Sequence, residues 1–167
     1  FRLMPGDIFN WEIVRDNGTF YSFTTRSHDY QKIAQIWYSK PDLEAGGYAG
    51  ANYGLIYDLG AIELSDVTDD IPAVSVLLNY KAPVNINQAR AEQSKGRENR
   101  IGDLIYQKRL PAVVRHSYVL RAIDFSKADI LVTLKVIRKE TDGSLIIFWK
   151  QLADFGKPNL DPTIKER

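Results

Sequence analysis

From Ala112 to Leu152 three stretches of β-prone residues follow one another with two short breaks. In the first, Val114, His116, Tyr118, Leu120 and Ala122 form a mostly apolar set, while Arg115, Ser117 and Arg121 form a more polar one. This period of two predicts a half-buried strand, with His116 on its core face. The second stretch repeats the pattern: Ile130, Val132, Leu134 and Val136 alternate with Leu131, Thr133, Lys135 and Ile137. The third, Leu145 to Leu152, is apolar on both faces and reads as a central strand covered on both sides. Thr141-Asp142-Gly143-Ser144 supplies a tight reversal, and Asp124 to Asp129 a longer polar connection. The three stretches predict an antiparallel meander with no helix longer than two turns inside it.

Upstream, Asp7 to Arg15 and Thr19 to Arg26 flank Asp16-Asn17-Gly18, and Asn-Gly between β-prone runs predicts a hairpin. Each face of that hairpin carries aromatic and polar residues together, so the pattern leaves open which one is core. Tyr30 to Ser39 fits a helix face or a short strand equally, and Pro41 ends it either way. Leu55 to Leu59 reads as a short buried strand closed by Gly60.

Asp66, Asp69 and Asp70 precede Ile71-Pro72 and are expected to cap a short helix ending near Tyr80. Asn87 to Arg100 has almost no apolar stripe, which predicts an exposed or partly disordered helix. Ile101 to Gln107 suggests one more strand, Phe1 to Gly6 an irregular lead-in, and 156–167 an irregular tail. With no repeat and no long linker, residues 1–167 read as a single α+β, β-dominated domain. Its antiparallel sheet would hold the N-terminal hairpin, the C-terminal meander and one or two short helices between them; a β-sandwich or barrel is the alternative.

A chain of 167 residues is long enough to bury a sizeable core. There is no cysteine, which excludes disulfides, thiolate metal sites and cysteine nucleophiles, and leaves the compartment open. Many bacterial exported proteins share that lack, and an exported location, periplasmic or extracellular, is the slight preference. The start at Phe1 rather than Met is the one expected where an N-terminal segment has been removed. The near balance of 22 Lys and Arg against 21 Asp and Glu argues against a nucleic-acid partner. Every apolar run is too short for a transmembrane segment.

Candidate chemistry is sparse. The chain has two histidines. His116, on a core face, reads as a buried ring satisfied by a carbonyl or a Tyr; His28, in Arg26-Ser27-His28-Asp29-Tyr30 after a strand, could reach a ligand or serve a hydrolase with a nearby carboxylate. No cofactor motif occurs, and no His-x-x-x-His or acidic Gly loop of a metal site. Four of the eleven glycines fall between Gly46 and Gly54, alternating with tyrosines. Their spacing is not a dinucleotide fingerprint; a close approach of another chain segment or a ligand-contacting loop would each explain them.

Above this background stands the density of aromatic and polar residues in the first third of the chain. Rings with polar tips and a few fixed polar groups suit a small-molecule, glycan or protein-binding surface. The expected contact residues are Arg26, His28, Tyr30, Tyr48, Asn52 and Tyr53. The expectation is therefore a non-enzymatic binding or interaction domain. A hydrolase using His28 is one alternative, and a structural subunit of a larger assembly or oligomer is another.

Overall fold

The computed structural model describes residues 1–6, 18–28, 33–46, 50–95 and 98–161. The meander forms as the alternation requires. Strands Ser117–Asp124 (β9), Ala128–Lys139 (β10) and Leu145–Asp154 (β11) are consecutive and antiparallel. Gly143, at φ 83°, turns the chain between β10 and β11 in a conformation that disfavours any residue with a Cβ. The β9–β10 connection is shorter than expected, because Asp124 and Asp129 both belong to the strands.

Two further strands complete a five-stranded sheet. Arg2–Leu3 (β1) lies outside β11 and Tyr53–Gly60 (β5) outside β9, giving the order β1-β11-β10-β9-β5. The expectation of an irregular lead-in fails at β1. Leu3 pairs with Leu145 and is fully buried, and a buried Leu contributes about 1.5–3 kcal/mol, enough to hold a two-residue strand in place.

One face of this sheet meets a four-stranded sheet, β2-β3-β4-β8, formed by Phe20–Tyr21 (β2), Ile36–Ser39 (β3), Asp42–Ala45 (β4) and Arg109–Pro111 (β8). Tyr21, Ile36, Tyr38 and Leu43 from it share a core with Ile56, Tyr118, Leu120, Val132 and Leu134. The other face is covered by the helices Pro72–Asn79 (α1) and Ile86–Ser94 (α2) and by the hairpin of Asn99–Ile101 (β6) and Leu104–Tyr106 (β7). There Val74, Leu77, Ala89 and Tyr106 pack on Val119, Ile123 and Leu131. The fold is thus α+β and β-dominated, with antiparallel sheets and, among the described residues, no closed barrel. No described helix is long and apolar enough to cross a membrane.

Several local expectations are corrected. β9 and most of β10 are buried on both faces, whereas β11, read as the doubly covered strand, leaves Phe148 59% exposed. The second face of β9 hides polar groups because they are paired: Arg121 holds Asp129 through two 2.8 Å bonds. His116 is not a core residue, since it precedes β9 and is half-buried beside an exposed Val114. The ambiguous segment around Trp37 becomes a strand.

The strand expected over Thr19 to Arg26 stops at Tyr21 and turns between Ser22 and Ser27; its hairpin partner at residues 7–15 lies outside the described residues. Helix α1 begins at an Ile71 cap without side-chain bonds, so the aspartates before it are not caps. Helix α2 is ordered despite its polarity: Asn85 caps it through Asn87 N (2.8 Å) and Gln88 N (3.2 Å), and Ala89 is buried. Residues 99–107 form a hairpin rather than one strand. Residues 156–161 form neither helix nor strand, yet Asp129 N donates to Gly156 O and Ser126 N to Pro158 O.

Candidate functional site

Tyr21 is placed by pairing with Ile36 in β3, and its ring stacks on Phe1 at 3.8 Å with an interplanar angle of 4°. Phe23, from the turn that follows, packs on Trp149 of β11 at 4.9 Å, and Tyr21 meets the same indole edge-on at 6.4 Å. His28 lies against Tyr21 at 5.1 Å, with Nδ1 2.7 Å from Phe20 O. Tyr21 and Phe23 are buried, Trp149 is half-buried, and Arg26 and His28 are exposed. The cluster joins the two sheets at their rim and leaves an open groove of about 380 Å³ lined by Tyr21, Arg26, Trp149, Lys150 and Gln151.

The groove is aromatic on its floor and cationic at its side. Burial holds the Tyr21 phenol above its usual range, against the opposing effects of a hydrogen bond from Trp149 and the Arg26 charge. Arg26 sits in the turn at φ 53° and has no carboxylate partner among the described residues. The Lys150 ammonium is not free to serve the groove, because Nζ donates to Val67 O at 3.0 Å on the other face of β11. Flat rings, a guanidinium with no carboxylate partner among the described residues and the Gln151 amide can hold a ligand with an apolar face and an anionic or acceptor-rich edge.

This groove opens onto the outer edge of β11. Phe1 N donates to Ile147 O and Ile147 N to Phe1 O, both at 2.8 Å. Beyond Ile147 no described strand pairs with that edge.

Of the six expected contact residues, Arg26 and His28 are brought together here, and Tyr30 and Tyr48 lie outside the described residues. Asn52 and Tyr53 lie away from it and make internal hydrogen bonds. Asn52 Oδ1 accepts from Phe125 N at 2.9 Å, and its backbone oxygen accepts from Gln93 Nε2 at 2.8 Å. Tyr53 is buried, with its hydroxyl 2.7 Å from that of Tyr80 and its phenol driven well up by burial. Both described ends of the glycine-rich segment are packing sites. A Cβ on Gly54 would come within 2.5 Å of the Ala45 Cβ, and one on Gly46 would collide with Ala34 O.

The carboxylate sought for His28 is found on the other histidine. Asp58 Oδ2 lies 2.9 Å from His116 Nδ1, and its Oδ1 also accepts from Gly60 N at 2.7 Å. Such a pair orients an imidazole for proton transfer, but it needs a nucleophile. Ser117 does not supply one: it is fully buried and donates to Ile62 O at 2.6 Å.

A separate open cleft is lined by Glu63, Arg115 and Lys135, where the buried Lys135 ammonium donates to Glu63 at 2.5 Å. On the opposite face of β9 from Arg121, Asp124 is buried with Oδ2 unpartnered. Desolvation pushes its carboxyl up to about 6, against the pull of Lys127. Among the described residues no three metal-ligating side chains converge.

Sequence reasoning marked Arg26, His28 and the aromatic density of the first third, but assigned Trp149 only to a doubly covered strand. A Trp followed by Lys and Gln on a strand read as doubly covered was the available sign that one of its faces meets solvent. No family model, no curated protein and no solved structure matches the chain.

Proposed function

We propose that this chain is a non-enzymatic binding domain whose contact surface is the groove of Tyr21, Arg26, Trp149 and Gln151. The observation that carries the reading is Arg26, a guanidinium with no carboxylate partner among the described residues, lining a groove with the half-buried Trp149 and the edge of Tyr21. Elsewhere the buried cations Arg121 and Lys135 are spent on internal acceptors. The expected ligand is a small molecule, glycan or protein segment that offers a flat apolar face and a carboxylate or clustered acceptors.

Thermal unfolding across a panel of acidic and neutral glycans, organic acids and short peptides tests this. A ligand present at one hundred times its dissociation constant adds about 2.7 kcal/mol. Shifts are expected for anionic members and are expected to vanish in Arg26→Ala, whose unliganded melting stays at the wild-type value. Shifts that survive that substitution would place the site elsewhere.

A hydrolase is the second reading, and it is favoured by the Asp58–His116 pair rather than by His28. The ring of His28 is held by a backbone carbonyl and meets no carboxylate among the described residues.

A further inference from the structure

We propose that the cleft of Glu63, Arg115 and Lys135 is a second binding site, for an organic carboxylate on an apolar body, and that Glu63 occupies it as an internal stand-in. The site is independent of the groove reading. It lies on the helical face of the sheet, because Lys135 shares its side of β10 with Leu131, which packs under the helices. The cleft measures about 460 Å³ and is lined by Ala61, Glu63, Arg115, Lys135 and Ile137.

Two cations meet one carboxylate there. Lys135 pairs with Ser117 of β9, and Arg115 is fixed just ahead of that strand by a 2.6 Å bond from its N to Val136 O. The Lys135 side chain is 8% exposed, and its ammonium donates to Glu63 Oε1 at 2.5 Å and to Ile62 O at 3.2 Å. An ammonium carries three N–H groups, and the third has no acceptor among the described residues. Arg115 is exposed and has no carboxylate partner among them. At φ 69° it holds a turn in which glycine would be the relaxed residue, so the strain accompanies a guanidinium that lines the cleft.

Glu63 is the replaceable member. Its side chain is 70% exposed and makes no cap bond to the turn Leu64–Asp66 that follows it, and its described partner is Lys135. The carboxylate can return to water at little cost. Lys135 cannot be left behind unpaired, because a buried charge needs a partner in place of its lost hydration. A ligand carboxylate that takes the position of Glu63 keeps the Lys135 bond and adds the Arg115 guanidinium.

The neighbouring side chains select the rest of the ligand. Ile137 is half-buried at the cleft wall, and Phe148, directly opposite Lys135 on β11, is 59% exposed on the same face. A carboxylate held by Lys135 and Arg115 lays an apolar substituent over these two residues.

The probe is 3-phenylpropionate, titrated by calorimetry with backbone amides followed by NMR. Its neutral amide and phenyl phosphate serve as controls. The acid is expected to shift the amides of Arg115 and Ile137 and to bind about tenfold or more tightly than the amide. Arg115→Gly suits the backbone of its turn, so melting stays at or above the wild-type value while affinity for the acid falls about tenfold. Glu63→Gln removes the competing carboxylate, and affinity for the acid rises about two- to fivefold. A purely structural ion pair would give no such rise.

Equal binding of acid and amide overturns the proposal. Binding that is unchanged in Arg115→Gly and lost in Arg26→Ala assigns the acid to the groove, which overturns this site and supports the other. Phenyl phosphate bound in place of the acid overturns the carboxylate assignment, and no binding to the wild type or to Glu63→Gln overturns the site itself. The amide control requires no protein variant, so a misfolded Glu63→Gln would not rescue the idea.

Discussion

Arg121 and Arg26 put the same guanidinium into opposite circumstances. Arg121 is 2% exposed and fully engaged: it holds Asp129 with two bonds, donates to Leu77 O and Tyr80 O at 2.5 and 2.7 Å, and lies 3.8 Å over the Phe155 ring. Arg26 stands exposed in a turn, lining a groove with Tyr21 and Trp149 and with no carboxylate partner among the described residues. A buried charge must be matched where it sits, because its lost hydration has to be replaced by protein groups. An exposed one can wait for a ligand. The sheet's helical face is therefore the region where polar chemistry serves stability, and the rim beside β11 is where the proposed binding would draw on it.

Removing the engaged arginine is the strongest way to break this contrast. Arg121→Ala is expected to cost about 3–5 kcal/mol in urea unfolding, since Asp129 would remain buried without its partner. A loss below about 1 kcal/mol would mean that water reaches Asp129 and that the two regions differ less than their burial implies.

Asp124 sharpens the contrast as a buried charge with one oxygen unmatched. Its folded pKa of about 6 lies above the ordinary carboxylate value. Its protonated form therefore favours the folded state below about pH 4, and that advantage is lost as pH rises through 6. Asp124→Asn should remove this loss, so the variant should gain about 1–3 kcal/mol relative to wild type between pH 4 and pH 7. Parallel stability curves for the two proteins across that range would show Asp124 to be solvated.

The smallest effect belongs to the exposed arginine. At φ 53° a residue with a Cβ is strained, and Arg26→Gly should stabilise the turn by about 1 kcal/mol while removing binding to the groove. If stability falls instead, Arg26 is part of the fold and the division between the two regions fails.

The meander was legible because its signals are local: alternation over eight or more residues and an Asp-Gly turn. What lay across its faces was not. Arg121, Thr133 and Lys135 read as solvent-facing by polarity, but their partners come from Asp129, Tyr118, Ile62 and Glu63, which only the register brings close. β1 and β2 are two residues each, too short for any periodicity.

The candidate site divides in the same way. Arg26 and His28 were visible as a polar turn after a strand, whereas the rim needs Phe1, Tyr21 and Trp149, which meet only because β1 and the four-stranded sheet close on β11. The Asp58–His116 pair was hidden for that reason too, with Asp58 on β5 and His116 just before β9, 58 positions apart in the chain. The glycine-rich segment misled because the freedom that suits a ligand loop is also what lets two backbones approach.

The hold of Arg121 on α1 bears on the order in which the molecule can assemble. An eight-residue helix is too short to persist alone in water. The carbonyls at its C-terminal end are received by a side chain of β9, whose geometry is set by Asp129 of β10. The helix has the donor for its terminal carbonyls only after two strands of the meander have found each other. The sheet and the layer above it are then expected to form together, with the helix following the strands rather than seeding them.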